Sequence, residues 1–141
     1  MRSILMGLSL AAVLSMTVGA QDASSPQFYS TKVQPILQQH CYQCHDAAKH
    51  SGGLNMETRA GFLNENAVLG PPIAPGDPAN SLLLTLIKQT APPAYAPPMP
   101  PPPNPKLSDA DIATIEQWIK AGAVMPAQAG KSAVPAEPAK N

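Results

Sequence analysis

The chain has 141 residues, room for one domain, and it is 44% hydrophobic but only 4% aromatic, with 18 prolines and 9 glycines. The large flat side chains that dominate cores are scarce, and a chain this size buries only about 70% of its unfolded surface, so a bulky bound cofactor would relieve the shortage of core. Nine basic residues balance nine acidic ones, which excludes the basic patch of a nucleic-acid binder and strong electrostatic steering toward a partner.

Residues 1–20 read as a secretory signal. Arg2 is the positive n-region, Ile4 to Val18 the uncharged apolar stretch, and Val18-Gly19-Ala20 the small-residue cleavage site, with Gln21 as the new N-terminus. The apolar run is shorter than the roughly 20 residues a membrane span prefers. Gln21, not a cysteine, stands directly after the cleavage site, so no lipid attachment is expected there. Loss of Arg2 would leave eight basic groups against nine acidic ones. The expectation is a periplasmic protein with no stable membrane insertion.

After a short polar stretch, Ser25-Pro26 predicts an N-cap with proline at the first helical position. Phe28, Val33, Ile36 and Leu37 supply a helical apolar stripe. Pro35 is expected to break or kink that helix near Gln34. Residues 46–57 are polar and contain Gly52-Gly53, so they read as loop. Thr58 to Leu63 has room for one or two helical turns. Residues 70–78 hold four prolines and exclude regular structure. Asn80 or Ser81 is expected to cap a helix carrying Leu82, Leu83, Leu86 and Ile87. Ala91 to Pro105 is almost continuous proline around Met99.

The last helix has the clearest signals. Ser108 is its N-cap and Asp111 sits at N3, an Asp variant of the capping box, while Leu107 and Ile112 form a hydrophobic staple. Asp109 and Asp111 favour the positive end of the helix dipole. Ile112, Ile115, Trp118 and Ile119 make the apolar face, and Gly122 fits the position that ends the helix. From Ala127 onward the composition is that of a disordered tail. No strand and no internal repeat is visible. The reading is an all-α domain over 21–126, flanked by the signal at 1–20 and the tail at 127–141.

Cys41-Tyr42-Gln43-Cys44-His45 is C-x-x-C-H, the spacing of c-type haem attachment. Two thiols three apart on a helical turn share one face, so both meet one edge of a haem while the adjacent imidazole reaches the iron. Other chemistries fit less well. A redox dithiol belongs beside a βαβ pattern. A structural zinc needs four ligands, which only Cys41, Cys44, His45 and one of His40 or His50 could supply. A Cys41–Cys44 disulfide would close a loop too small to stabilise much.

The wider chain resembles the planctomycete-type cytochrome c domain. The likeness runs through Phe28, Val33, Pro35-Ile36-Leu37, the C-x-x-C-H, Gly52-Gly53-Leu54, Gly70-Pro71 with Pro75-Gly76-Asp77-Pro78, Ser81-Leu82-Leu83, Met99-Pro100-Pro101, Leu107-Ser108 and Trp118-Ile119 with Gly122-Ala123. The resemblance implies a small cytochrome c-like helical domain wrapped round one covalently bound haem c, with long proline-rich loops. It also implies an exported location.

The sixth iron ligand is open to argument. Of six methionines, Met56, Met99 and Met125 remain after signal cleavage. Met99 is far from His45 in sequence, so the chain has length to pass round a haem edge, and its proline neighbours stiffen the loop. Its Met-Pro-Pro setting also matches the family's axial methionine. A thioether there raises the reduction potential and suits electron transfer. Met56 follows His45 by only eleven residues and would line the pocket, while Met125 is the alternative ligand. His40 and His50 read as surface residues. A metal-bound histidine donates its second ring nitrogen to an acceptor, and resemblance assigns that acceptor to the Pro71 carbonyl. Resemblance also places Trp118 against the first helix, near Phe28.

The expected function is single-electron transfer by a monomeric mono-haem cytochrome with unidentified protein partners, and no catalytic residue is visible. Two related expectations stay open: an electron-accepting subunit of a periplasmic oxidoreductase, and a peroxidase-like or gas-binding haem protein should the sixth position be vacant.

Overall fold

The computed structural model describes residues 22–92 and 94–127, so the expected signal at 1–20 and the tail beyond residue 127 lie outside the described residues. Every regular element among the described residues is helical, in keeping with the all-α reading.

Helix α1 (Pro26–Phe28) starts as its cap dictates: Phe28 N–H donates to the Ser25 hydroxyl oxygen at 3.2 Å. A π turn (Tyr29–Val33) follows, and α2 (Gln34–His40) continues from it. The expected break at Pro35 does not end the helix. A proline ring inside an α-helix crowds the carbonyl four residues back; the wider turn takes up that misfit, with Gln34 N–H reaching five residues back to the Tyr29 carbonyl. Cys41 N–H then donates to the Leu37 carbonyl at 2.8 Å, so the end of α2 fixes where the C-x-x-C-H begins.

The 46–57 loop holds one short 3₁₀ turn (Ser51–Gly53). Where one or two helical turns were expected, helix α3 (Arg59–Phe62) is a single turn, capped by Thr58, whose hydroxyl oxygen accepts from Gly61 N–H at 3.0 Å. Helix α4 (Leu82–Ile87) buries Leu83, Leu84, Leu86 and Ile87. Ser81 occupies its N-cap position without making the expected cap bond. Its buried hydroxyl instead donates to the Asp77 carbonyl at 2.8 Å and accepts from Ala74 N–H at 2.9 Å, which folds the proline-rich loop back onto the helix. That loop is also tied across the core by Gly76 N–H to the Ile119 carbonyl at 2.8 Å.

Helix α5 (Asp109–Lys120) follows its sequence signals closely. Asp111 N–H donates to the Ser108 hydroxyl oxygen at 3.1 Å, and the same hydroxyl donates to the Asp111 carboxylate at 2.6 Å. Leu107 and Ile112 are both buried, as a staple requires. At the other end Gly122, with φ +99, donates to the Ile119 carbonyl, and Ala123 N–H to the Trp118 carbonyl, each at 2.9 Å. That bond pair is the Schellman arrangement. Arg59 adds a guanidinium bond to the Ala123 carbonyl, fastening α3 to this turn.

The core centres on Trp118, which is fully buried and packs against the first helix as expected; its ring partners are Tyr29 (ring centroids 5.5 Å), the neighbour of Phe28, and Phe62 (5.4 Å, edge-to-face), and Phe28 is buried in the same cluster. The Tyr29 hydroxyl shares a 3.0 Å hydrogen bond with that of Tyr42, inside the C-x-x-C-H motif. Burial, then that bond, holds the Tyr29 phenol well above the ordinary tyrosine range. The folded state therefore keeps its proton where the unfolded chain would lose it. Stability from this group is complete below about pH 10 and falls as pH rises beyond it. Tyr29→Phe is expected to lose about 1 kcal/mol at neutral pH with the hydrogen bond, yet to lose less further stability than the parent between neutral and about pH 11. Urea midpoints at the two pH values check this, and equal losses in both proteins would refute it.

Candidate functional site

The end of α2 passes directly into the C-x-x-C-H turn, where Cys44 N–H (3.1 Å) and His45 N–H (2.9 Å) both donate to the Cys41 carbonyl. This bonding gathers the two thiols and the imidazole on one short turn. Both cysteines are free thiols, Cys41 buried and Cys44 half-buried. Burial, and secondarily the neighbouring Cys44, pushes the Cys41 thiol up to about 12.

Cys41, Cys44 and His45 all line a cleft of about 330 Å³, a volume in the range of small-molecule and cofactor sites. Its walls come from distant parts of the chain: Leu82, Leu83, Leu86 and Ile87 of α4, the 67–70 and 97–101 segments, and Leu107 just before α5. No Asp, Glu, Lys or Arg stands among the described lining residues, so the lining is mainly apolar apart from the histidines and a few neutral polar groups. Two thiols, one imidazole and leucine-rich walls are the donor set and surroundings that a flat, apolar, iron-bearing macrocycle requires. The residues present fit a c-type haem.

The structure separates the three methionines. Met99 lines the cleft, with its N–H bonded to the Leu86 carbonyl of α4 at 3.2 Å. Met56 also lines it, but it is nearly fully buried and its N–H donates to the His45 carbonyl at 2.8 Å, which places its backbone against the histidine's own. Met125 packs on the core and is not among the lining residues. His40 lines the cleft while His50 is exposed. The zinc assembly does not form: among the described residues no group of three or more His, Cys, Asp or Glu converges on a metal position.

The acceptor expected at Pro71 is elsewhere. Nδ1 of His45 lies 2.9 Å from the Ser51 carbonyl, while Pro71 is exposed and only its neighbours Gly70 and Pro72 line the cleft. Six residues of loop suffice to return the chain to its own histidine, a closer route than the 26 to Pro71. Sequence reasoning missed this acceptor. Its signal was Gly52-Gly53, whose positive φ values (+68 and +75) let the chain turn back on itself there. The wall residues Ala67, Val68 and Leu69 were also missed, since a short irregular segment has no periodicity to mark the side it turns to the cleft; Val68 and Leu69 remain exposed at its mouth.

No curated protein and no solved structure matches this chain. A family model described as Planctomycete cytochrome C matches residues 41–103, from the first thiol of the motif through Met99 and the prolines after it. The matched segment supplies both thiols, the histidine, Met99 and most of the cleft wall, with the first helix and α5 outside it. Over residues 41–103 the chain is thus similar to planctomycete cytochrome c, the family that the order of its motifs resembles.

Proposed function

We propose that this protein is an exported mono-haem c-type cytochrome that carries single electrons between protein partners, with iron held by His45 and Met99. The observation that carries the reading is one apolar cleft lined by Cys41, Cys44, His45 and Met99 together. Bound haem supplies iron that cycles between ferric and ferrous states, giving or taking one electron.

The chain's own residues have distinct tasks. Cys41 and Cys44 would hold the macrocycle through their thiols, which the C-x-x-C-H turn keeps on the cleft wall. His45 offers Nε2, because Nδ1 is engaged by a carbonyl. Met99 offers a thioether from a loop tied to α4 through its own N–H. Leu83, Leu86 and Ile87 keep water from the interior. Ligation by both His45 and Met99 would leave oxygen or peroxide no place to bind. Export fits the motif, since the reading needs periplasmic maturation, and among the described residues no helix is long and apolar enough to cross a membrane.

The test is Met99→Ala in haem-loaded protein. The weak near-infrared sulfur-to-iron band is expected to vanish and the reduction potential to fall, because a thioether ligand favours ferrous iron. Met125→Ala is expected to leave both unchanged. A band that persists in Met99→Ala, or high-spin bands in the parent protein, would remove the His45/Met99 assignment and turn the function toward ligand binding.

A further inference from the structure

Each of the three carbonyls of the Ser51–Gly53 turn accepts a bond from outside the turn, the Ser51 carbonyl in addition to a local one from Leu54 N–H at 3.4 Å. Ser51 C=O lies 2.9 Å from His45 Nδ1, Gly52 C=O accepts from Val68 N–H at 3.0 Å, and Gly53 C=O accepts from the Asn64 side-chain amide at 2.9 Å. Ser51 N–H closes the ring by donating to the Cys44 carbonyl at 3.1 Å. A carbonyl oxygen only accepts, so His45 must carry its proton on Nδ1, which leaves the Nε2 lone pair exposed. Asn64 is itself fixed, its side-chain oxygen accepting from Asn66 N–H at 3.0 Å. Gly52 and Gly53 take their positive φ freely and His50 takes its own at a cost, and the turn's own bonds are Gly53 N–H to the His50 carbonyl at 2.8 Å and a long one from Leu54 N–H to the Ser51 carbonyl at 3.4 Å, so bonds from outside the turn help fix its position.

We propose that Asn64 is a positioning residue for the haem iron: it clamps the Ser51–Gly53 turn, which presents the Ser51 carbonyl to His45 and sets the ligand strength of Nε2. This rests on His45 binding iron as argued above. A firm Nδ1–H to carbonyl bond makes the imidazole a stronger donor. Stronger donation favours ferric iron and lowers the reduction potential. Loosening the clamp raises it.

The experiment uses ¹⁵N-labelled, haem-loaded protein in the reduced, diamagnetic state, with its potential measured alongside. Long-range proton–nitrogen correlation reports which His45 nitrogen bears the proton and how fast that proton exchanges with solvent. The comparison is Asn64→Ser, which keeps an oxygen for Asn66 N–H and adds no charge but is too short to reach Gly53. In the parent protein, Nδ1–H is expected to exchange slowly. In Asn64→Ser it should exchange on the order of tenfold faster, with an upward shift in potential and unchanged Met99 ligation. A metal-bound Nε2 beside a fast-exchanging Nδ1–H in the parent protein would overturn the proposal and leave the haem reading intact. An Nε2 that still binds a proton would overturn both. Unchanged exchange and potential in Asn64→Ser would remove Asn64 from the role.

Discussion

Haem-loaded protein carrying His45→Gly is expected to keep its haem mass and lose its low-spin spectrum completely. Covalent attachment depends on Cys41 and Cys44, which the substitution leaves in place. The local backbone is held by groups that survive it: the residue 45 N–H still reaches the Cys41 carbonyl (2.9 Å in the parent) and its carbonyl still accepts from Met56 N–H (2.8 Å). What is removed is the imidazole alone. Added imidazole should enter the gap and restore much of the low-spin spectrum, since the vacated space keeps its acceptor, the Ser51 carbonyl. Absorption spectra with and without imidazole measure this. Low-spin bands that persist in His45→Gly without added imidazole would show that a different residue, such as His40 on the same cleft, binds the iron.

The second large effect concerns the core. Trp118→Ala is expected to cost about 3–5 kcal/mol, a large share of the roughly 5–15 kcal/mol by which domains are stable. The indole is fully buried, touches the rings of Tyr29 and Phe62, and donates through Nε1 to the Val124 carbonyl at 2.9 Å. Truncation leaves a cavity between α5 and the π turn and strips a partner from that carbonyl. Trp118→Phe keeps most of the packing and is expected to cost about 1–2 kcal/mol, chiefly the hydrogen bond and some volume. Chemical denaturation of haem-loaded protein reads both. Trp118 is not on the cleft wall, so the haem spectrum below the transition should be that of the parent. A loss under about 1 kcal/mol for Trp118→Ala would show that the aromatic cluster is not what joins the terminal helices.

The parts of this protein that could be read in advance are those whose partners lie within a few residues. Ser25 and Ser108 cap the helices that start beside them. Gly122 closes α5 through carbonyls three and five residues back from the N–H groups concerned. The C-x-x-C-H gathers its own donors on one turn, and from it the haem expectation follows. Such features are legible because backbone geometry alone decides which atoms can meet over so short a span.

Where several partners were chemically equivalent, packing chose among them. Ser51 and Pro71 each offer a carbonyl, and only the folded loop brings one to His45. Phe28 and Tyr29 are neighbours on one helix; the π turn forced near Pro35 accompanies a register in which Tyr29 meets Trp118. Ser81 holds the cap position, but the loop pressed against α4 claims its hydroxyl. Met56, Met99 and Met125 are the same side chain three times, and the cleft excludes Met125 from its lining while Met56 stays beside His45. Local hydrogen bonding settled which elements and which donors exist. The burial of apolar surface between segments distant in sequence decided which of them face one another.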